Sequence, residues 1–353
     1  MERDYSKYFR GKPAESFNFK DIIYQKKDGV ATIIINRPEV YNAYSTVALE
    51  EMIVAFKDAS WDDGIHAVVL TGAGHIAFCT GGDVKEYQEN YTKRPRDFWK
   101  WMGLFNMAHE LFRNIGKPTI ARLNGMTVGG GNEWNIEADI AIAASHVRIR
   151  QVGTNVGSVA AGGSTQILPI MVGDRRAREI LLTNDWIDAR TALQWGLVNR
   201  VVPSVKKDGR FLEDHTWSEA EKAIKGVDGY SIDLSLLDEE VMKWCEKFRE
   251  KFPECTRYTR QQLNFWKDLV WHLTIGHARD WLSVHFSSWE PWEGMTAFVE
   301  KRKADYEGMR RRASEGKSSE FKWGPPVKNC MKCGAKGIPE EFNYCGICGE
   351  KLQ

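Results

Sequence analysis

The sequence predicts an α/β fold that turns helical in its second half and ends in a small zinc ribbon. Three observations carry this. Strand-like apolar runs alternate with helical periodicity over roughly the first two hundred residues, the pattern becomes mostly helical from about Ser204, and four of the seven cysteines form two Cys-x-x-Cys pairs in the last 24 residues. The corresponding domain limits are an α/β core over 1–203, a helical region over 204–313, a linker over 314–329 and the ribbon over 330–353.

The elements follow in order. After a polar lead, residues 22–25 and 30–36 are strand-like runs split by Lys-Asp-Gly, which predicts a hairpin. Ser45 can cap a helix whose apolar positions Val47, Leu49, Met52, Ile53 and Phe56 keep helical spacing, and residues 66–72 then read as a buried strand. Strand, helix, strand argues for a parallel unit. The unit recurs with a strand over 119–123, a helix after the glycine run and a strand over 139–143. Farther on, residues 219–225, 236–252, 259–275 and 294–312 are helical in pattern and rich in tryptophan. The polar stretch 314–329, with its Pro-Pro, reads as a linker.

The chain has 353 residues, 42% of them hydrophobic, and can bury a sizeable core. A net charge of +1 with both signs interspersed leaves no basic face for nucleic acid or an anionic membrane, so any anionic ligand must be met locally. No apolar run approaches the ~20 residues of a membrane span, and MERDYSKYFRGK lacks a signal-peptide core. A cytoplasmic protein is expected. Cys79, Cys245 and Cys255 are scattered singly, which suits a reducing compartment better than a disulfide framework.

Three motifs can carry chemistry. In AFCTGGDVKEY (77–87), Gly81 and Gly82 let the main chain approach a ligand, and Asp83 can cap the next helix with Glu86 three residues on. In TVGGGNEWNIEAD (127–139), a bare backbone enters a helix whose first turn holds Glu133, either an acid/base group or a solvated acid; Glu137, one turn later on the same face, reads as a surface acid. Cys330-x-x-Cys333 and Cys345-x-x-Cys348 match a four-cysteine zinc site, closed by its own ligands and therefore structural. A competitor, Gly72-Ala-Gly74-His-Ile-Ala77, fits the dinucleotide fingerprint, but strand-like residues follow it where a helix is required.

From about Asp21 to Tyr306 the chain resembles the crotonase (enoyl-CoA hydratase/isomerase) superfamily. The matching text is INRPEVYNAYS (35–45), the two glycine motifs and EGMTAFVEKRKADY (293–306). The resemblance implies a β/α spiral core with a C-terminal helical trimerisation region, a homotrimer or a hexamer, and an acyl-CoA thioester substrate with coenzyme A as part of it and no catalytic cofactor. It places the two N–H groups of an oxyanion hole at Gly82 and Gly130 and the acid/base at Glu133. The family's second glutamate falls at Gly153, so simple hydration by paired carboxylates is in doubt. The pattern around Gly153 is similar to the branch that makes or breaks C–C bonds beside a thioester, and a ring-opening hydrolase is the expectation. Asp83, Thr154, Asn155, Tyr87 or Tyr91 could orient water. An ordinary hydratase or isomerase, and a non-catalytic binding protein, remain as alternatives. The 204–236 insert and the ribbon lengthen the chain beyond an ordinary hydratase.

Overall fold

The computed structural model describes residues 8–321 and 327–353; the start of the lead (1–7) and part of the expected linker, with its Pro-Pro (322–326), lie outside the described residues. The chain folds into two compact units, each assembled from separated segments. One holds the segments through Gly82, Leu104–Gln151 and Ala160–Leu273; the other holds Asp83–Gly103, Val152–Val159 and the segment from Thr274 onward.

The first unit is built on a six-stranded sheet in the order Ile22–Lys27, Val30–Ile35, Ala67–Gly72, Thr119–Leu123, Ile140–Ala144 and Arg200–Val202. The first pair is the expected antiparallel hairpin, and every later neighbour is parallel. All six residues of Ala67–Gly72 are buried, as a parallel strand covered on both faces requires. The crossover helix Thr46–Trp61 starts where its cap predicts, with Ser45 Oγ accepting the Ala48 N–H at 3.0 Å. Leu49, Met52 and Phe56 are fully buried, while Val47 is exposed at the helix entrance.

A second sheet of four strands follows the order Ala77–Cys79, Met126–Val128, Arg148–Arg150 and Ile187–Asp188. A third, of three strands, corrects the helical reading beyond Ser204: Val205–Lys207 pairs antiparallel with both Arg210–Phe211 and Tyr230–Ile232. Its reason is local. Asp208 and Gly209 take left-handed φ of 48° and 80°, a hairpin turn, and the ribbon buries Val205 against Ala220 and Ala223 of the helix Trp217–Lys225. The helix Ser235–Arg249 comes next, and the reading of 259–275 falls inside a longer helix, Pro253–His285. The helix Pro95–Arg113 was not anticipated at all.

In the second unit, 294–312 is two helices and not one. Trp289–Val299 ends before Lys301, which takes φ 55°, and Tyr306–Ser314 restarts with Asp305 Oδ1 accepting the Gly308 N–H at 2.8 Å. The C-terminal segment carries the two-stranded ladder Val327–Lys328 with Ile338–Pro339. Among the described residues no helix is long and apolar enough to cross a membrane.

Candidate active site

Two short strands of the four-stranded sheet set this site. Ala77–Cys79 and Met126–Val128 are parallel neighbours with Cys79 opposite Thr127, so both chains leave the sheet at the same edge. Gly82 lies three residues past Cys79, and Gly130 lies three past Thr127. The structure thus brings the two glycine motifs together: a Cβ on Gly81 would stand 3.0 Å from the Gly130 nitrogen.

The three consecutive glycines have separate reasons. Gly129 turns the strand into the helix at φ 55°, ψ −121°, a conformation that favours glycine. A Cβ on Gly130 would collide with the Tyr44 hydroxyl and ring, and one on Gly131 with the Cys79 carbonyl. Tyr44 is tied to the first motif as well: its N–H donates to the Gly81 carbonyl at 2.9 Å, and it bridges to Gly82. The Asn132 and Glu133 N–H groups return to the Gly129 carbonyl, whereas the Gly130 N–H opens the helix Gly130–Glu137 and has no acceptor within it.

Glu133 is not a solvated first-turn acid. It is 4% exposed, and the Gly162 N–H donates to its Oε1 at 2.7 Å. Burial pushes its carboxyl up to about 7, against hydrogen bonds from Gly162 and Ser164 and with help from the charge of Glu137. Glu137 is not the surface acid expected either. It is 1% exposed and pairs with Arg113, Oε1 to Nη1 2.6 Å. The cause is tertiary: Gly131–Glu137 is buried around its whole circumference, with Arg113 contributed by Pro95–Arg113 and with Lys267 of Pro253–His285 donating to the Ile136 carbonyl at 2.9 Å.

Sequence reasoning missed Tyr44, Phe105, His109, Arg113, Gly162 and Ser164. Phe105 stacks on Tyr44 at 6.2 Å between centroids, and His109 lies face to face with Trp134 at 3.8 Å. A signal existed for Gly162, in the Ala-Ala-Gly-Gly-Ser run, but none pointed to its partner.

The remaining expected site residues belong to the second unit and are described there. Asp83 caps the helix Val84–Asn90, its Oδ1 accepting from the Lys85 N–H at 3.1 Å and the Glu86 N–H at 3.3 Å. Tyr87 and Tyr91 pack against Trp101, at 4.8 and 6.1 Å between ring centroids. Gly153, Thr154 and Asn155 form a single 3₁₀ turn. The glycines of the dinucleotide-like motif lead into the strand Ala77–Cys79 and not a helix, which removes that reading.

A family model described as "Enoyl-CoA hydratase/isomerase" matches residues 25–232. The chain belongs to the enoyl-CoA hydratase/isomerase family. It is an enzyme of acyl-CoA thioester chemistry with the crotonase fold. The chain is 35% identical over 311 residues to a 6-oxocyclohex-1-ene-1-carbonyl-CoA hydrolase of Geobacter metallireducens, covering 81% of each protein. It is 32% identical over 329 residues to a protein of the same name from Thauera aromatica, covering 86% of each. An enoyl-CoA hydratase structure from Mycobacterium avium subsp. paratuberculosis shares the fold at a TM-score of 0.66 and 20% identity, with 82% of this chain and 99% of that one covered.

Unlike the glycine loops, the C-terminal cysteines build a closed set. The four sulfurs of Cys330, Cys333, Cys345 and Cys348 lie within 4.8 Å of one another, with Cys330–Cys348 at 3.5 Å and Cys333–Cys345 at 3.6 Å. Four thiolates at about 2.3 Å from one tetrahedral ion stand about 3.8 Å apart, so the set fits a zinc ion with no open position. The two knuckles match: the Gly334 N–H donates to the Cys330 carbonyl and the Gly349 N–H to the Cys345 carbonyl, both at 2.9 Å. Ile338 and Leu352 are the principal apolar residues packed on the buried cysteines, a core too small to hold the segment by itself.

Proposed function

We propose that this enzyme hydrates 6-oxocyclohex-1-ene-1-carbonyl-CoA and cleaves its ring to 3-hydroxypimeloyl-CoA, a step of anaerobic aromatic degradation. The observation that carries the reading is Glu133: a fully buried carboxyl, pushed up to about 7, on the helix that opens at Gly130 beside the Gly82 turn. A group with a proton affinity near ambient pH can both give and take a proton, as a site with one carboxylate must. The names of the two curated relatives support the choice of substrate.

In this reading the Gly82 and Gly130 N–H groups bind the thioester oxygen and stabilise the enolate, each worth roughly 3–4 kcal/mol in the transition state. Water adds to the β carbon of the conjugated C=C, the electrons move into the thioester, and the α carbon takes a proton. A second water then attacks the ring ketone. The bond between that carbon and the α carbon breaks, its electron pair returns to the thioester enolate, and protonation releases an open-chain product with a free carboxylate. Two waters are consumed and no oxidant is needed. Glu133 handles the protons, and Asp83 fixes the start of the helix after the Gly82 turn. Assembly as a homotrimer or hexamer belongs to the same reading.

The test is the product formed in oxygen-18 water. Ring opening gives label in the new hydroxyl and in the new carboxylate. A ring-intact hydroxy-oxo thioester at long times, or fast turnover of crotonyl-CoA with none of the ring substrate, would leave an ordinary hydratase in its place.

A further inference from the structure

A second acid stands directly behind Glu133, and the reaction just described has no use for it. Glu137 is one turn along the same helix, so the two carboxylates leave the backbone about 5–6 Å apart. They also face adjacent residues of one loop. The Gly162 N–H donates to Glu133, and a Cβ on the next residue, Gly163, would lie 3.2 Å from Glu137 Oε1.

The groups facing Glu137 come from three helices. Pro95–Arg113 brings Arg113, whose Nη1 is 2.6 Å from Glu137 Oε1, and His109, whose Nδ1 is 3.9 Å from it. Pro253–His285 brings Lys267, and Asp268, which takes Arg113 Nε at 2.7 Å. Its own helix brings Glu133. Burial, and then the charge of Arg113, hold the His109 ring well below its ordinary proton affinity, so it is neutral around pH 7. Burial raises the proton affinity of Glu137 overall, Arg113 and Lys267 oppose it, and the guanidinium in contact, which cannot itself be deprotonated, stabilises the charged form of the carboxyl. Glu133, by contrast, has no cation in contact among the described residues and is faced by the donors Gly162 and Ser164 and by the charge of Glu137.

A buried ion pair is a poor device for stability, since apolar residues of the same volume often do as well or better. Its geometry here suits another task. We propose that Glu137, fixed by Arg113, is a positioning residue whose negative charge acts through space on Glu133 and sets how readily Glu133 releases its proton. The inference rests on the reading of Glu133 as the acid/base group, and it gives this one-carboxylate site a second carboxylate that never touches substrate.

The experiment needs no substrate. An infrared titration of the full chain follows the protonated carboxyl band of Glu133, assigned by its loss in Glu133→Gln. In Glu137→Gln the midpoint falls by about half a pH unit or more, roughly threefold in proton affinity, and Glu137→Asp restores most of it. Should Glu137→Gln fail to fold, Glu137→Met with Arg113→Met removes the pair together, and the midpoint again falls because the charge of Glu137 bears on the Glu133 carboxyl. A midpoint that stays within about 0.2 unit in a folded variant, whatever happens to turnover, overturns the proposal. Failure of the ring-opening reading leaves this titration unchanged, so the two are separable.

Discussion

The amide of Gly162 donates to Glu133 Oε1, and the same residue closes the space on the other oxygen, where a Cβ would lie 2.6 Å from Oε2 and also meet the Phe105 ring. One glycine therefore both orients the carboxylate and walls it in.

Gly162→Ala is expected to displace Glu133 or Phe105. Overpacking of this kind costs about 1–3 kcal/mol, read as a lower denaturation midpoint, and the misplaced carboxylate lowers kcat about tenfold or more. A variant with native stability and native turnover would mean that the carboxylate is free to move and that its position is not held by this contact.

Glu133→Gln keeps the shape and removes the proton acceptor, so acyl-CoA binding persists while turnover falls by about 100- to 10,000-fold. Stability gives an independent check. The folded-state value of Glu133 lies at about 7, above its ordinary 4.5, so the folded chain holds the proton more tightly than the unfolded one. Its contribution is fully present below pH 4.5 and is lost as pH rises through 7, by about 3 kcal/mol in all. Wild type should lose ground to Glu133→Gln across that window in matched unfolding curves. Parallel curves would return Glu133 to an ordinary solvated acid.

Gly130→Ala collides with the Tyr44 ring and hydroxyl, and trimming the partner in Tyr44→Leu makes room for the new methyl group. The two changes together should cost less than the sum of each alone, with a coupling of about 0.5–3 kcal/mol in a double-mutant cycle. Simple additivity would show that the contact does not constrain the turn.

The ribbon is expected to bind one zinc per chain. Metal analysis of the purified protein gives the stoichiometry. Chelation or Cys345→Ser should unfold the segment from about Lys328 onward, visible as loss of dispersed amide resonances, while turnover by the rest of the chain stays largely intact. A metal-free protein with a folded C-terminus is incompatible with this.

Features set by neighbours in sequence were legible: the Ser45 cap, the hairpin around Lys-Asp-Gly, the strand, glycine and helix order around Gly130, and the paired cysteine knuckles. Glu137 was not, because what makes it a buried ion is Arg113, 24 residues away, and Arg113 is in turn held by Asp268, 155 residues from it. No periodicity carries such pairings. The helix Pro95–Arg113 escaped for a related reason: its buried stripe of Phe98, Trp101, Met102, Phe105 and Phe112 includes His109 and Arg113, which read as polar breaks until their partners are known. The turn at Lys301, a lysine at positive φ, lacks the glycine or proline that would have announced it.

The two glycine turns hang from adjacent strands of one sheet, leaving it from paired positions. The two chains are therefore about 4.8 Å apart where they leave the sheet, a spacing set by β structure and not by the side chains around them. A one-residue slip of either strand would thus carry its glycine turn out of step with the other's, whatever the side chains around them.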